Sequence, residues 1–315
     1  MMRKLALLAV AAVVLSAAPA SAITGGHRDA GEHPYVGELI FFDADYVDSR
    51  FDDPGGWFTC SATMLTSTVI VTAGHCTYGV GLEGESTTRR GGDGSGGNDI
   101  WFDASEVAHF DGFPDSADYD RDENQQRYED RAAFLNSSRF WHRGTSYPHP
   151  DFADAPFYAH DAGVVVLDDP MPMDTYGRIP KLDYIDRYAV RPHHLFEVVG
   201  YGLTKSGPFT EEGGDRRLKG DVKLNTLHGT LPGSPPDTFV LLSNNKGVPH
   251  PSGTCFGDSG GPTFDDTDSN LVLAVTSFGF SSTCSGVGGV YRLDQPDDLK
   301  FLASFGITPS QRGSA

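Results

Sequence analysis

The apolar positions of the chain fall in short runs, not in long helical periods. STVIVTA (67–73), AGVVVLDD (162–169), LFEVVGYG (195–202), FVLLSN (239–244), LVLAVTSFG (271–279) and GGVYRLD (288–294) are rich in β-branched or aromatic residues, bounded by Gly, Pro, Asp or Ser. Such segments predict strands. Without helices alternating between them, they predict an antiparallel sandwich or barrel and not a sheet of βαβ units. One helix is predicted near the C-terminus, in QPDDLKFLASFG (295–306). There Pro296 suits the first turn, Asp297 and Asp298 suit the positive end of the helix dipole, and Leu299, Leu302 and Phe305 share a face.

The first 22 residues break this pattern. A basic start at Arg3 and Lys4 leads into an apolar run from Leu5 to Ala18, and Ala20-Ser21-Ala22 closes it. This reads as a secretory signal peptide (1–22) with an Ala-x-Ala cleavage site. The run is short for a bilayer span, and no other stretch is longer, so residues 23–315 are expected to be soluble and secreted, with no membrane partner after cleavage. The formal charge of −19 becomes still more negative when Arg3 and Lys4 leave. A chain so acidic, with no basic patch, repels nucleic acid.

Residues 82–143 differ again. RRGGDGSGGND (89–99) reads as a flexible glycine loop. The acidic DGFPDSADYDRDENQQRYEDR (111–131) follows, with a short helix predicted near 123–135. The whole segment is expected to be an insertion lying over the surface. Asp118, Asp120, Asp122 and Glu129 have some of the spacing of a calcium loop, but Glu123 stands where the sharp turn needs Gly. A solvated acidic loop is the preferred reading, with no metal or cofactor. Asn136 in NSS (136–138) fits a glycosylation acceptor.

Four cysteines in an exported chain suggest two disulfides. Three pairings are open; Cys60–Cys76 with Cys255–Cys284 closes two short loops and is favoured. The spacings do not suit C-x-x-C metal ligation.

The candidate chemistry begins at GTCFGDSGGP (253–262). Gly257, Ser259 and Gly261 formally match the G-x-S-x-G elbow of α/β hydrolases, but that fold carries its histidine after the serine. Here all eleven histidines precede Ser259. A serine nucleophile needs a base. His75, in VTAGHC, follows an apolar strand and is pinned by Cys76. Asp161, in AHDAGVVVLDD, opens a buried-looking strand, where a carboxylate must be hydrogen-bonded. Singly, these read as a strand-end histidine and a strand cap; together, His75, Asp161 and Ser259 follow the chain order of a chymotrypsin-type triad.

With these residues the sequence resembles the trypsin/chymotrypsin family of serine endopeptidases. TAGHC (72–76) resembles its histidine block, HDAGVVVL (160–167) its aspartate block with Ala-Gly in place of Ile-Ala, and GDSGGP (257–262) its serine block. VVGYG (198–202), GGVY (288–291) and SFG (277–279, with Phe for the usual Trp) add to the match. It covers most of the chain after residue 22, outside 82–143. The resemblance implies an all-β fold of two six-stranded antiparallel barrels, about 23–175 and 176–294, with a C-terminal helix at about 296–305 and the site between the barrels. It also implies the favoured disulfides, acyl transfer to Ser259 with His75 as base and Asp161 as its support, and an oxyanion hole from the N–H groups of Gly257 and Ser259.

Two further expectations rest on the same resemblance. ITGG (23–26) is similar to the family's Ile-Val-Gly-Gly start, whose free ammonium pairs with the acid before the serine, here Asp258. Signal peptidase would then release the active N-terminus at Ile23 directly. The specificity pocket maps to Gly253, Thr254, Ser277, Gly279 and Gly289. Gly253 replaces the aspartate of trypsin-like members, so an apolar or aromatic residue is expected before the scissile bond. Phe256 and Phe278 add apolar surface. The expected partner is a protein or peptide substrate acted on by a monomer, with a proteinaceous inhibitor as a second candidate. The alternatives are a catalytically silent binding protein on the same scaffold and an exported calcium-binding module.

Overall fold

The computed structural model describes residues 23–81, 97–152, 156, 158–190, 194–207, 210–244, 252–265 and 267–309. The signal peptide and most of the glycine loop lie outside these residues. The strands are β1 (His27–Arg28), β2 (Val36–Asp43), β3 (Gly56–Met64), β4 (Val69–Thr72), β5 (Ile100–Asp103), β6 (His142–Pro148), β7 (Gly163–Leu167), β8 (Leu195–Gly200), β9 (Leu203–Gly207), β10 (Thr210–Gly213), β11 (Leu218–Gly229), β12 (Phe239–Ser243), β13 (Pro262–Asp265), β14 (Asp268–Gly279) and β15 (Val287–Arg292); the helices are α1 (Asn124–Ser137) and α2 (Pro296–Ala303).

All six strands expected from apolar runs are present. β2 and β3 were not legible as strands. β2 is buried along nearly its whole length, so it lacks the polar alternation that marks a half-exposed strand. The first barrel closes in the order β2-β3-β4-β7-β6-β5. The second runs β11-β12-β15-β14-β13-β8 and closes through β8–β11. Every pairing between these barrel strands is antiparallel.

Three boundaries differ from expectation, each because burial overrides chain order. The start of the chain belongs to the second barrel. β1 pairs with β11, and Ile23, fully buried, joins a core with Val198, Leu218 and Val222. Segment 82–143 is not wholly superficial. Its IWFD is barrel strand β5, buried throughout, and Ala132 and Leu135 of α1 enter the first core with Trp101 and Trp141. At the other end, Phe301 and Leu302 of α2 also pack into the first core. Asp298, expected to serve the helix dipole, is buried and accepts the Tyr291 hydroxyl at 3.1 Å.

Each barrel therefore holds chain from the other half. Arg217 reinforces the joint: its guanidinium donates to the Val36 and Ala104 carbonyls at 2.7 and 2.9 Å and to the Asp29 carboxylate at 2.9 Å. Burial would raise the Asp29 pKa, but two hydrogen bonds from His33 and the Arg217 charge hold it at about 2.

Candidate active site

β4 delivers His75. Its VIVT is fully buried, and the chain then turns at Ala73-Gly74 into a single 3-10 turn, Gly74–Cys76. A side chain at Gly74 would strike Phe152 at 2.8 Å, so the small residue lets the turn seat against Phe152 and the Ala162 carbonyl. The Cys60–Cys76 disulfide is formed and ties this turn to β3. Asp161 stands at the mouth of β7, fully buried, just after His160 with its left-handed φ of 53°. Its carboxylate accepts three donors: the His75 backbone N–H at 2.9 Å, His75 Nδ1 at 3.0 Å, and the Ser277 hydroxyl at 2.5 Å. Burial opposes a charged His75 ring, but the Asp161 charge and hydrogen bond outweigh it and raise the His75 pKa. With its proton held on Nδ1 by Asp161, the neutral ring has a lone pair on Nε2.

Ser259 comes from the loop between Cys255 and β13, and both barrels grip it. Its carbonyl accepts the N–H of Ser61 on β3 at 2.8 Å, while the next amide, Gly260, donates to Thr276 of β14 at 2.7 Å. The Ser61 hydroxyl donates to the Gly257 carbonyl at 2.9 Å and accepts the Tyr201 N–H at 2.9 Å. Gly257 and Gly260 take φ values of 93° and 76°, and a Cβ on Gly260 would lie 1.9 Å from Thr72 Oγ1. The serine block thus needs glycine for conformation and for close approach. Among the described residues, no acceptor takes the N–H of Gly257 or of Ser259. Cys255–Cys284 is formed behind the loop.

His75 and Ser259 line two cavities that meet at them. The first, about 430 Å³, is walled by Thr254, Phe256, Ser277, Gly279 and the 280–285 loop. The second, about 600 Å³, opens toward β2, β3 and the β9–β10 hairpin.

The pocket residues expected from sequence divide. Thr254, Ser277 and Gly279 line the first cavity. Gly253 and Gly289 do not, because other side chains occupy the space in front of them. A Cβ on Gly253 would meet Asn244 at 2.7 Å, and one on Gly289 would meet the Phe278 ring at 2.2 Å. The cavity wall is instead supplied by Asn244, whose Nδ2 donates to the Thr254 carbonyl at 3.2 Å. No Asp, Glu, Lys or Arg lines this cavity among the described residues. Ser61 and Asn244 were not visible in the sequence, since neither lies in a recognisable motif.

Ile23 and Asp258 are not joined. In the 315-residue chain the Ile23 nitrogen is a peptide amide and carries no charge. Ile23 adopts φ 54°, unusual for a β-branched residue. The next residue, Thr24, pairs with Gly253 through two backbone hydrogen bonds of 2.8 and 3.0 Å. The buried Asp258 carboxyl accepts instead from Gly202 and Cys255 N–H at 2.9 and 2.8 Å. Burial pushes its pKa up to about 7 in spite of them. Glu38 on β2, also buried, is raised well above the carboxylate range by burial and by the charges of Asp103, Asp215 and Asp258.

Among the described residues, two groups of metal-type ligands are close enough to converge. Cys60 and Cys76 beside His75 are spent in a disulfide. In the other, His149, His160 and Asp297, the His149 Nδ1 already accepts the Asp151 N–H at 3.1 Å. The four acids with calcium-like spacing are not among these groups.

No protein-family model matches this sequence, and no curated protein matches it by sequence. Many solved structures match in fold, two of them as follows. HL collagenase is 16% identical with a TM-score of 0.58, and the inactivated protease paralogue S-D1 of the scabies mite is 13% identical with a TM-score of 0.55. Each match covers 91% of this chain and all of the other. The two closed barrels, the short C-terminal helix and these likenesses together show that the chain has the trypsin-like fold.

Proposed function

We propose that this chain is a secreted serine endopeptidase working through an acyl-enzyme. The observation that carries the reading is the hydrogen-bonded His75–Asp161 pair at the same cleft wall as Ser259, with two unengaged N–H groups alongside. In the proposed reaction His75 Nε2 takes the Ser259 proton as Oγ attacks a peptide carbonyl. Asp161 keeps the tautomer and stabilises the imidazolium that forms. The N–H groups of Gly257 and Ser259 take the oxyanion; a lost donor of this kind costs about 3 kcal/mol. His75 returns the proton to the leaving amine, and water repeats the sequence to free the acyl group.

The first cavity would receive the side chain before the scissile bond. Its uncharged lining, with Phe256 and Phe278 among its walls, supports an apolar or aromatic preference. The buried Asp258 carboxyl, which meets no cation among the described residues, supports the further step in which cleavage after Ala22 supplies the Ile23 ammonium. Two disulfides fit an oxidising compartment outside the cytosol.

The second reading is a silent binding protein, favoured by the likeness to an inactivated paralogue. A serine-directed phosphonylating reagent separates the two. Secreted protein with Ile23 as first residue is expected to label once, with labelling lost in Ser259→Ala and in His75→Ala. A folded, correctly processed chain that does not label is the silent protein; faster cleavage of chromogenic peptides after Arg than after Phe or Leu would overturn the pocket reading.

A further inference from the structure

We propose that helix α1 and the loop before it hold a small inorganic oxyanion, sulfate or phosphate, between Arg127, Arg131 and Ser116. None of the three lines either cleft cavity, so the site stands whether or not the chain is an endopeptidase.

Arg127 and Arg131 lie one turn apart on the same face of α1. Both turn inward, with exposures of only 1% and 8%. A guanidinium leaves water at high cost unless a counter-charge meets it. Among the described residues neither arginine forms an ion pair; every oxygen they reach is neutral. Arg127 donates to Asn124 Oδ1 at 3.0 Å, to the Gly55 carbonyl at 3.1 Å and to Ser116 Oγ at 3.1 Å. Arg131 donates to the Pro114 carbonyl at 2.9 Å and to the same Ser116 Oγ at 3.0 Å. The rings of Phe51 and Phe113, 4.0 and 4.7 Å from the two guanidinium carbons, offset part of the cost. The acids nearby are engaged elsewhere. Asp48 pairs with Arg50 at 2.6 Å, and the Asp115 carboxylate accepts the Ala117 N–H at 2.9 Å. Burial lowers the pKa of both arginines, and the Arg127 charge helps to bring Arg131 down to about 10.

Two like charges therefore converge on one hydroxyl. The Ser116 oxygen accepts from both, while its own proton and the N–H groups of Arg131 Nη1 have no acceptor among the described residues. An oxyanion seated beside them would accept from these donors and supply the missing negative charge. Its oxygens suit the planar fork of a guanidinium. A single small ion fits better than a polyanion. The arginines are recessed, the chain carries a formal charge of −19, and Asp115, Asp118 and Asp120 are exposed in the same loop, so a long polyanion is repelled along its length. Occupancy would clamp α1 to the first barrel, since the Arg131 guanidinium sits 5.9 Å from the Trp57 ring on which Tyr128 stacks.

The test is thermal unfolding of the secreted chain in sodium sulfate or sodium phosphate, with ionic strength held constant by sodium chloride. With a Kd of ~0.1 mM, ~10 mM of either anion is expected to raise Tm by about 5 °C along a saturating curve. Arg131→Gln is expected to lose this rise. Ser116→Asp sets a carboxylate between the guanidiniums, so it is expected to melt above the wild type in chloride alone and to ignore sulfate. Arg139→Gln removes an exposed cation that rests on Phe140 and is expected to keep the full rise. Where Arg131→Gln does not fold, Ser116→Asp decides. No saturating rise in the wild type, an equal rise in Ser116→Asp, a Ser116→Asp chain that melts below the wild type in chloride, or a rise lost as fully in Arg139→Gln each overturns the site.

Discussion

The charge state of Asp258 offers a sharp test of how this fold treats its chain start. Its carboxyl is inaccessible and meets no cation among the described residues, and burial raises its pKa from 3.8 to about 7. Between these values the folded chain holds a proton that the unfolded chain has lost, so stability falls as pH rises through that window. About three units at about 1.36 kcal/mol each amount to about 4 kcal/mol, a large part of a net stability of roughly 5–15 kcal/mol. The perturbation is Asp258→Asn in a chain that keeps a few residues ahead of Ile23. Asn cannot ionise. It loses one of the two N–H hydrogen bonds, about 1–3 kcal/mol, but that cost is the same at pH 4 and pH 8 and cancels between them. Urea unfolding at both values is expected to favour Asn by about 4 kcal/mol more at pH 8 than at pH 4. In chains that begin at Ile23 the sign is expected to reverse, because the proposed pairing of the ammonium with the ionised carboxylate would lower its pKa. Identical pH dependence of the extended chain and its Asn variant would refute the buried-carboxyl argument. Identical behaviour of the two chain starts would refute the ion pair.

Three other outcomes follow from the same contacts. Gly260→Ala is expected to cost about 1–2 kcal/mol for its left-handed backbone and about 1–3 kcal/mol for the clash with Thr72, and to abolish phosphonyl labelling; a variant of native stability that still labels contradicts this. Arg217→Leu leaves the Asp29 charge and two carbonyls short of a donor and is expected to cost about 3–5 kcal/mol by denaturant unfolding, whereas Arg216→Leu, whose nearest acid Glu106 lies 4.0 Å away, changes stability by under about 1 kcal/mol. Because Asp161 raises the His75 pKa, and only the neutral ring can take a proton, the acid limb of a kcat/KM profile is expected above pH 6.5; Ser277→Ala removes a donor from Asp161, strengthens its pull on the imidazolium and moves that limb higher, so a limb that stays or falls counts against the geometry.

Residues that must do the same thing wherever they fold were legible in the sequence. Short β-branched runs such as VIVT and GVVVL form strands because their side chains suit a pleated, buried surface. GDSGGP announces a tight loop because only glycine accepts the φ of Gly257 and Gly260 and the approach of Thr72. The meeting of His75 and Asp161 was likewise legible, through motifs that hold their immediate neighbours.

What tertiary structure alone decided was which groups share space. Whether Gly253 and Gly289 open a pocket depends on where Asn244 and the Phe278 ring go, and packing sends both into the vacant positions. IWFD reads as part of an acidic insertion, yet it closes a barrel because β2 needs a partner for its backbone hydrogen bonds. The chain start joins the second barrel because burying Ile23 against Val198 and Leu218 outweighs its place in the order of the chain. Local sequence determines backbone shape and chemistry, whereas occupancy of a volume is a property of all the side chains that compete for it.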